Sequence, residues 1–135
     1  MLLLDTHVWV WQMSASTELA PASRNAINHA ASLGMLRIAA ISIWETALLA
    51  SRRRIMLLKP TAQWVEEALI APGLSLEPLS PRIAIESCDL PGRFHNDPAD
   101  RIIVATARVT DAILMTRDRR ILDYAALGHL AALPA

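Results

Sequence analysis

The chain has 135 residues, 53% hydrophobic and 19% charged, and its thirteen lysines and arginines balance thirteen acids. That length points to one domain, spanning residues 1–135, that buries about two thirds of its unfolded surface. The composition excludes a disordered chain, a coiled coil or a collagen, and the zero net charge excludes a polybasic binder while leaving room for local charge separation.

Met1–Leu4 reads as a short buried strand with Asp5 at its carboxyl end, and Trp9 and Trp11 begin an apolar lip or a short helix. Ser16, Thr17 and Glu18 look like a helix start, with the helix running to about Leu33 and Gly34 as its stop. Leu36 to Ala40 is a second strand. Ser42 then caps a helix to about Ser51, and Glu45 three residues on completes a capping box. Arg52, Arg53 and Arg54 close that helix, where cations suit the helix dipole.

Pro60 and Thr61 open a helix through Leu69, broken by Pro72 and Gly73, and Leu76 to Leu79 is a strand despite Pro78. Ser80 and Pro81 start a small helix; Pro91 to Asn96 is a loop; Pro98 starts the clearest helix, with Ile102, Ile103, Ala105, Thr106 and Val109 on its buried side. Ala112 to Met115 is a buried strand, Ile121 to Ala126 a short helix, and the tail beyond Gly128 is apolar. Short apolar strands alternating with longer helices imply an α/β domain with a largely parallel sheet. Cys88 is the only cysteine, which fits a reducing, cytoplasmic setting. No secretory leader and no stretch of about 18–20 apolar residues is present, so the mean hydropathy of +0.31 points to a large core or a protein interface, not to a membrane.

In a parallel sheet, ligands gather beyond the carboxyl ends of the strands. Asp5 and Asp118 follow candidate strands, while Glu45 and Asp100 lie in the first turns of helices that start at the same edge. Each acid also has a structural role open to it. Asp5 and Asp118 can cap strand or helix ends, Glu45 can serve the capping box, Asp97 is a good N-cap before Pro98, and Asp100 favours a helix dipole. As a set, converging carboxylates repel one another unless a cation joins them, and oxygen donors favour Mg²⁺, or alternatively Mn²⁺, over Zn²⁺. Such ions, one or two in number, activate water and stabilise a phosphodiester under attack.

Four segments carry a resemblance. Met1-Leu2-Leu3-Leu4-Asp5-Thr6-His7, Ile41-Ser42-Ile43-Trp44-Glu45, the run from Phe94 through His95-Asn96-Asp97-Pro98-Ala99-Asp100-Arg101 to Ala107, and Leu114-Met115-Thr116-Arg117-Asp118 resemble, in order and spacing, PIN-domain ribonucleases. They are similar to VapC-type toxins of toxin–antitoxin pairs. The resemblance implies an α/β/α sandwich on a parallel sheet of about five strands. It implies metal-dependent RNA hydrolysis by activated water, with Asp5, Glu45, Asp100 and Asp118 as catalytic acids. Asp5, Asp100 and Asp118 would be the metal ligands, and Asp97 and Thr116 supporting residues. It also implies a cognate VapB-type antitoxin and assembly as a homodimer or toxin–antitoxin hetero-oligomer.

Arg52, Arg53, Arg54, Arg101, Arg117 and Arg119 are candidate contacts to RNA phosphates, with ion pairs or plain solvation as the competing roles; Arg120 lies beside Asp118 as well. Trp9, Trp11, Ile43, Trp44 and Leu48 are candidates for a partner surface, and the tryptophans also for stacking on bases. His7 and His95 are assigned to packing or loop roles. A haloacid-dehalogenase-like phosphatase is disfavoured because His7 stands where its second acid belongs, and a phosphate-loop NTPase because the glycine-rich loop is missing. A non-catalytic RNA- or antitoxin-binding module is the remaining alternative.

Overall fold

The computed structural model describes residues 1–135. Five strands, β1 (Leu2–Leu4), β2 (Leu36–Ala39), β3 (Leu74–Glu77), β4 (Ile113–Thr116) and β5 (Ala132–Pro134), form one sheet in the order β3-β2-β1-β4-β5, with every neighbouring pair parallel. Seven helices link and cover them: α1 (Thr6–Met13), α2 (Pro21–Ser32), α3 (Ala40–Ser51), α4 (Thr61–Leu69), α5 (Pro81–Cys88), α6 (Pro98–Thr110) and α7 (Arg119–Ala126).

Alternation along the strands sorts the core into two halves. Leu3 of β1 and Leu114 of β4 join Ile83, Ile103, Val104, Ile121 and Tyr124 from α5, α6 and α7. Leu2 and Leu4, with Met115 of β4 and Ile38 of β2, face the other way onto Val8, Trp9, Ile27 and Ala68 from α1, α2 and α4. The result is the expected three-layer α/β/α sandwich on a five-stranded parallel sheet. The central strands β1 and β4 are largely apolar on both faces because helices cover both. No helix is long and apolar enough to cross a membrane.

Four local expectations are corrected. The helix expected from Ser16 starts at Pro21, where proline occupies the first turn without loss because its missing N–H would be unpaired there. The third strand lies two residues earlier than Leu76–Leu79, ending at Glu77 just before Pro78, which has no N–H for the ladder. The apolar tail supplies β5, which pairs with β4 from Leu114↔Ala132 to Thr116↔Pro134. Ser42 is not an N-cap: α3 begins at Ala40 directly from β2, and the buried Ser42 Oγ accepts a hydrogen bond from Thr6 Oγ1 at 2.9 Å. No capping box forms, so Glu45 is released from its structural role.

Gly73 sets the entry to β3. Its φ of +78° is a left-handed conformation, and a Cβ there would stand 1.8 Å from the carbonyl oxygen of Ala31 at the end of α2. Gly73→Ala is therefore expected to destabilise the protein by about 3 kcal/mol, combining the left-handed backbone penalty with backbone overpacking. Urea denaturation of the variant checks this; a loss well under 1 kcal/mol would show that the two segments shift apart freely.

Candidate active site

Strand order places the site. β1 is central, with β2 on one side and β4 on the other, so chain connections diverge beyond the carboxyl ends of β1 and β4 and open a crevice there. The parallel register pairs Leu4 with Met115, which sets Asp5 beside Thr116 one step further along. Thr116 Oγ1 donates to Asp5 Oδ2 at 2.5 Å, and the same hydroxyl oxygen accepts the Asp118 backbone N–H at 2.9 Å. One threonine thus ties together the first and last acids, 113 positions apart in sequence. Thr116→Val is expected to destabilise the fold by about 2 kcal/mol, since it orphans a buried acceptor and an N–H, whereas Thr116→Ser keeps both bonds; paired denaturation curves test the contrast.

Three acids do serve as helix N-caps. Asp5 Oδ1 accepts the Thr6 N–H of α1 at 2.8 Å, Asp97 Oδ1 accepts the Asp100 N–H of α6 at 3.2 Å, and Asp118 Oδ1 accepts the Arg120 N–H of α7 at 2.8 Å. Capping brings them together, because in this topology the starts of α1, α6 and α7 converge at one sheet edge. A carboxylate has about four acceptor positions, so a cap uses only part of it.

Asp5, Glu45, Asp97, Asp100 and Asp118 line one cleft of about 460 Å³, with His7, Trp11, Arg54, Arg117 and Arg120. Within it, one ligand atom each from Glu45, Asp97 and Asp100 lie within 4.8 Å of one another, as do atoms of His95, Asp100 and Asp118. Asp100 belongs to both groups. Asp5 lines the same cleft but belongs to neither group; its two oxygens accept from Thr6 and Thr116.

The electrostatics follow from this crowding. Burial, followed by the charges of Asp97, Asp5, Asp118 and Glu45, pushes the Asp100 carboxyl up to about 7. Burial also raises Asp5, against the hydrogen bond from Thr116, and raises Glu45, against an opposing contribution from Thr6. For Asp118 burial pushes upward too, but the hydrogen bonds and charge of Arg120 outweigh it and hold the carboxyl below its ordinary range. The donor set suits a hard divalent cation: carboxylate oxygens dominate it, and at neutral pH their mutual repulsion is relieved by positive charge.

Two residues matter more than their sequence context suggests. Arg120 bonds Asp118 Oδ2 at 2.9 Å and reaches Asp100 Oδ2 at 3.4 Å, so it already sets one cation against two of the acids. His95, assigned above to packing or loop roles, holds Nε2 3.1 Å from Asp100 Oδ2, while its Nδ1 accepts the Asp97 N–H at 3.3 Å. That second bond leaves the neutral ring's proton on Nε2, a buried N–H that lies near Asp100 without a hydrogen-bond partner. Burial and the charge of Arg120 lower the His95 pKa, keeping the ring neutral. The sequence signals available were the position of His95 two residues before the α6 cap and that of Arg120 in the first turn after Asp118.

The candidate arginines divide. Arg54 and Arg117 line the cleft; Arg52 and Arg53 do not. Arg101 turns inward instead, donating to the carbonyls of Ser87, Phe94 and His95 at 2.8, 3.0 and 3.2 Å, which braces the loop carrying His95. Arg119 is 87% exposed and pairs with Asp123 one turn along α7, away from the acids. Of the tryptophans proposed for a partner surface, Trp9 is wholly buried, edge-on to Trp64, and only Trp44 is strongly exposed.

The family model for the PIN domain matches residues 2–127. A ribonuclease named VapC22 from Mycobacterium tuberculosis is 38% identical over 123 residues, covering 91% of each chain. Among solved structures, a VapBC2 complex from Rickettsia felis bound to a promoter DNA fragment superposes with a TM-score of 0.70 at 14% identity, covering 98% of this chain and 97% of that one. FitAcB from Neisseria gonorrhoeae gives 0.67 at 20% identity, covering 98% and 96%; at these identities both speak for the fold alone. With its acids at the crevice between β1 and β4 and the match running nearly end to end, the chain belongs to the PIN-domain family and is of the VapC type.

Proposed function

We propose that this protein is a metal-dependent endoribonuclease, a toxin held in check by a cognate antitoxin, with residues 1–135 forming one catalytic domain. The observation that supports this most is the convergence of Asp5, Glu45, Asp97, Asp100 and Asp118 from four distant segments in one open cleft. A purely structural account explains the three caps but not Glu45, nor the burial of Asp100 among four other acids.

In this reading Mg²⁺ or Mn²⁺ would be held by Asp100 and Asp118 with Asp5 lining the same cleft, and Glu45 and Asp97 lie within ligand range of Asp100. When bound, a divalent ion lowers the pKa of water and offsets charge developing on the phosphodiester. Glu45, raised by burial, is placed to accept a proton from the attacking water. Asp5 holds the start of α1 and, through Thr116, the position of Asp118. Arg54 and Arg120 would provide cations for the substrate's phosphates, Arg120 being the one that now pairs with Asp118 and Asp100.

An antitoxin fits the apolar surface beside α4. Met13, Met56, Leu58 and Trp64 line a groove of about 390 Å³, and Met56 and Leu58 are 89% and 94% exposed. Side chains this apolar and this exposed call for a covering partner.

Antitoxin-free protein incubated with single-stranded and stem-loop RNAs is expected to cleave when Mg²⁺ or Mn²⁺ is added, and Asp5→Ala to lose that cleavage. Absence of metal-dependent cleavage across a broad RNA panel, by folded protein, would leave the non-catalytic binding module as the better reading.

A further inference from the structure

Ten residues line the acidic cleft, and Trp11 is the single apolar one. Core packing accounts for Trp9, which is wholly buried, but only in part for Trp11, which rests against the core with one portion and lines the cleft with another. The guanidinium of Arg117 lies over its ring, 4.5 Å from the centroid. Glu18 clamps that guanidinium, accepting one hydrogen bond on its carboxylate at 3.2 Å and another on its backbone carbonyl. His7, one turn earlier on α1 and exposed, sets its ring 5.9 Å from that of Trp11 at 50°.

The charge of Arg117 is therefore partly offset by Glu18, in an exposed pair. What it offers the cleft with Trp11 is a partly charge-compensated π surface rather than a free cation. Phosphate seeks net positive charge, whereas an unpaired base stacks on aromatic rings and guanidinium planes. We propose that Trp11 and Arg117, with His7 at the rim, form a nucleobase subsite that stacks one unpaired base of the RNA beside the bond cut at the acids; this rests on the ribonuclease reading above. Arg117 directly precedes Asp118 in the chain, so a base seated there brings its own phosphate to the acidic cluster. The subsite restricts cleavage to loops or single strands, since a paired base cannot leave its stack without a cost in energy.

Fluorescence anisotropy with end-labelled single-stranded RNA, in EDTA to prevent cleavage, tests this. A base-free ribose–phosphate oligomer of equal length serves as the comparison probe. Wild-type protein is expected to bind the base-bearing RNA at least about ten-fold more tightly than the base-free oligomer, as one stacked base provides. Trp11→Ala should lose that preference while binding the base-free oligomer as wild type does, and Trp11→Phe should restore most of it. Circular dichroism confirms that the variants are folded. Equal binding of base-bearing RNA by wild type and Trp11→Ala, or an equal loss for both probes, overturns the subsite while wild-type cleavage leaves the nuclease reading intact. No RNA binding and no cleavage by the wild type overturns both.

Discussion

Asp100→Asn is expected to reduce metal-dependent RNA cleavage about a thousand-fold in a protein that still folds. Asp100 is the one carboxylate common to both groups of atoms within ligand range, so its loss weakens each. Charge stabilisation by a catalytic cation supplies several kcal/mol, and about 4 kcal/mol corresponds to that rate factor. The substitution leaves the cap intact, because Asp97 accepts from the backbone N–H of residue 100 and not from its side chain. It also removes one charge from a crowded acidic set, so the metal-free variant should be at least as stable as wild type. Single-turnover cleavage with Mn²⁺, together with calorimetric titration of the metal, separates weakened binding from weakened chemistry. A loss under ten-fold, with metal affinity unchanged, would remove Asp100 from the centre of the site.

The second large effect concerns pH and metal. A carboxyl that titrates near 7 in the folded chain and at 3.8 when unfolded binds its proton more tightly in the native state. Its contribution to stability is complete below pH 3.8 and is lost as pH rises to about 7. Asp5 and Glu45, also raised, act with the same sign; Asp118, lowered by Arg120, acts with the opposite sign and loses its contribution on acidification. Between pH 4 and 7, metal-free wild type is therefore expected to lose on the order of 3 kcal/mol relative to Asp100→Asn. Saturating Mg²⁺ or Mn²⁺ should close that gap, since a cation that binds only the native, ionised cluster stabilises by mass action. Urea denaturation of both proteins in EDTA and in metal, at several pH values, gives the comparison. A metal-free difference that does not change with pH would show that Asp100 is not held among uncompensated charges.

Legibility varied by element. Met1–Leu4 and the run after Pro98 were readable because a short apolar segment ending in an acid, and a proline-started amphipathic pattern, each carry their own local signal. α1 was harder: Thr6-His7-Val8-Trp9-Val10-Trp11 mixes β-branched and aromatic residues that propensity alone does not place in a helix, and burial of Val8 and Trp9 against the sheet decides it. β5 carries no strand signal of its own: three residues ending in proline have no pattern, and only the free edge of β4 makes them a strand. The capping box at Ser42 failed for a related reason. A local motif competes with tertiary contacts, and β2 runs directly into α3 while Thr6 claims the serine hydroxyl.

The acids show the same division most clearly. Sequence alone determined their identity and order and the caps at Asp97 and Asp118 as candidates, because a carboxylate before a helix is a local event settled by the nearest backbone amides; the cap at Asp5 had to wait for α1 itself. It could not decide which face Glu45 presents, that Asp100 sits buried among four other acids, or that Arg101 braces a loop while Arg120 reaches into the cluster. Those outcomes depend on β1 lying between β2 and β4 with Leu4 opposite Met115. Strand order and register bring groups more than a hundred positions apart within hydrogen-bonding range, and burial there changes the charge they carry.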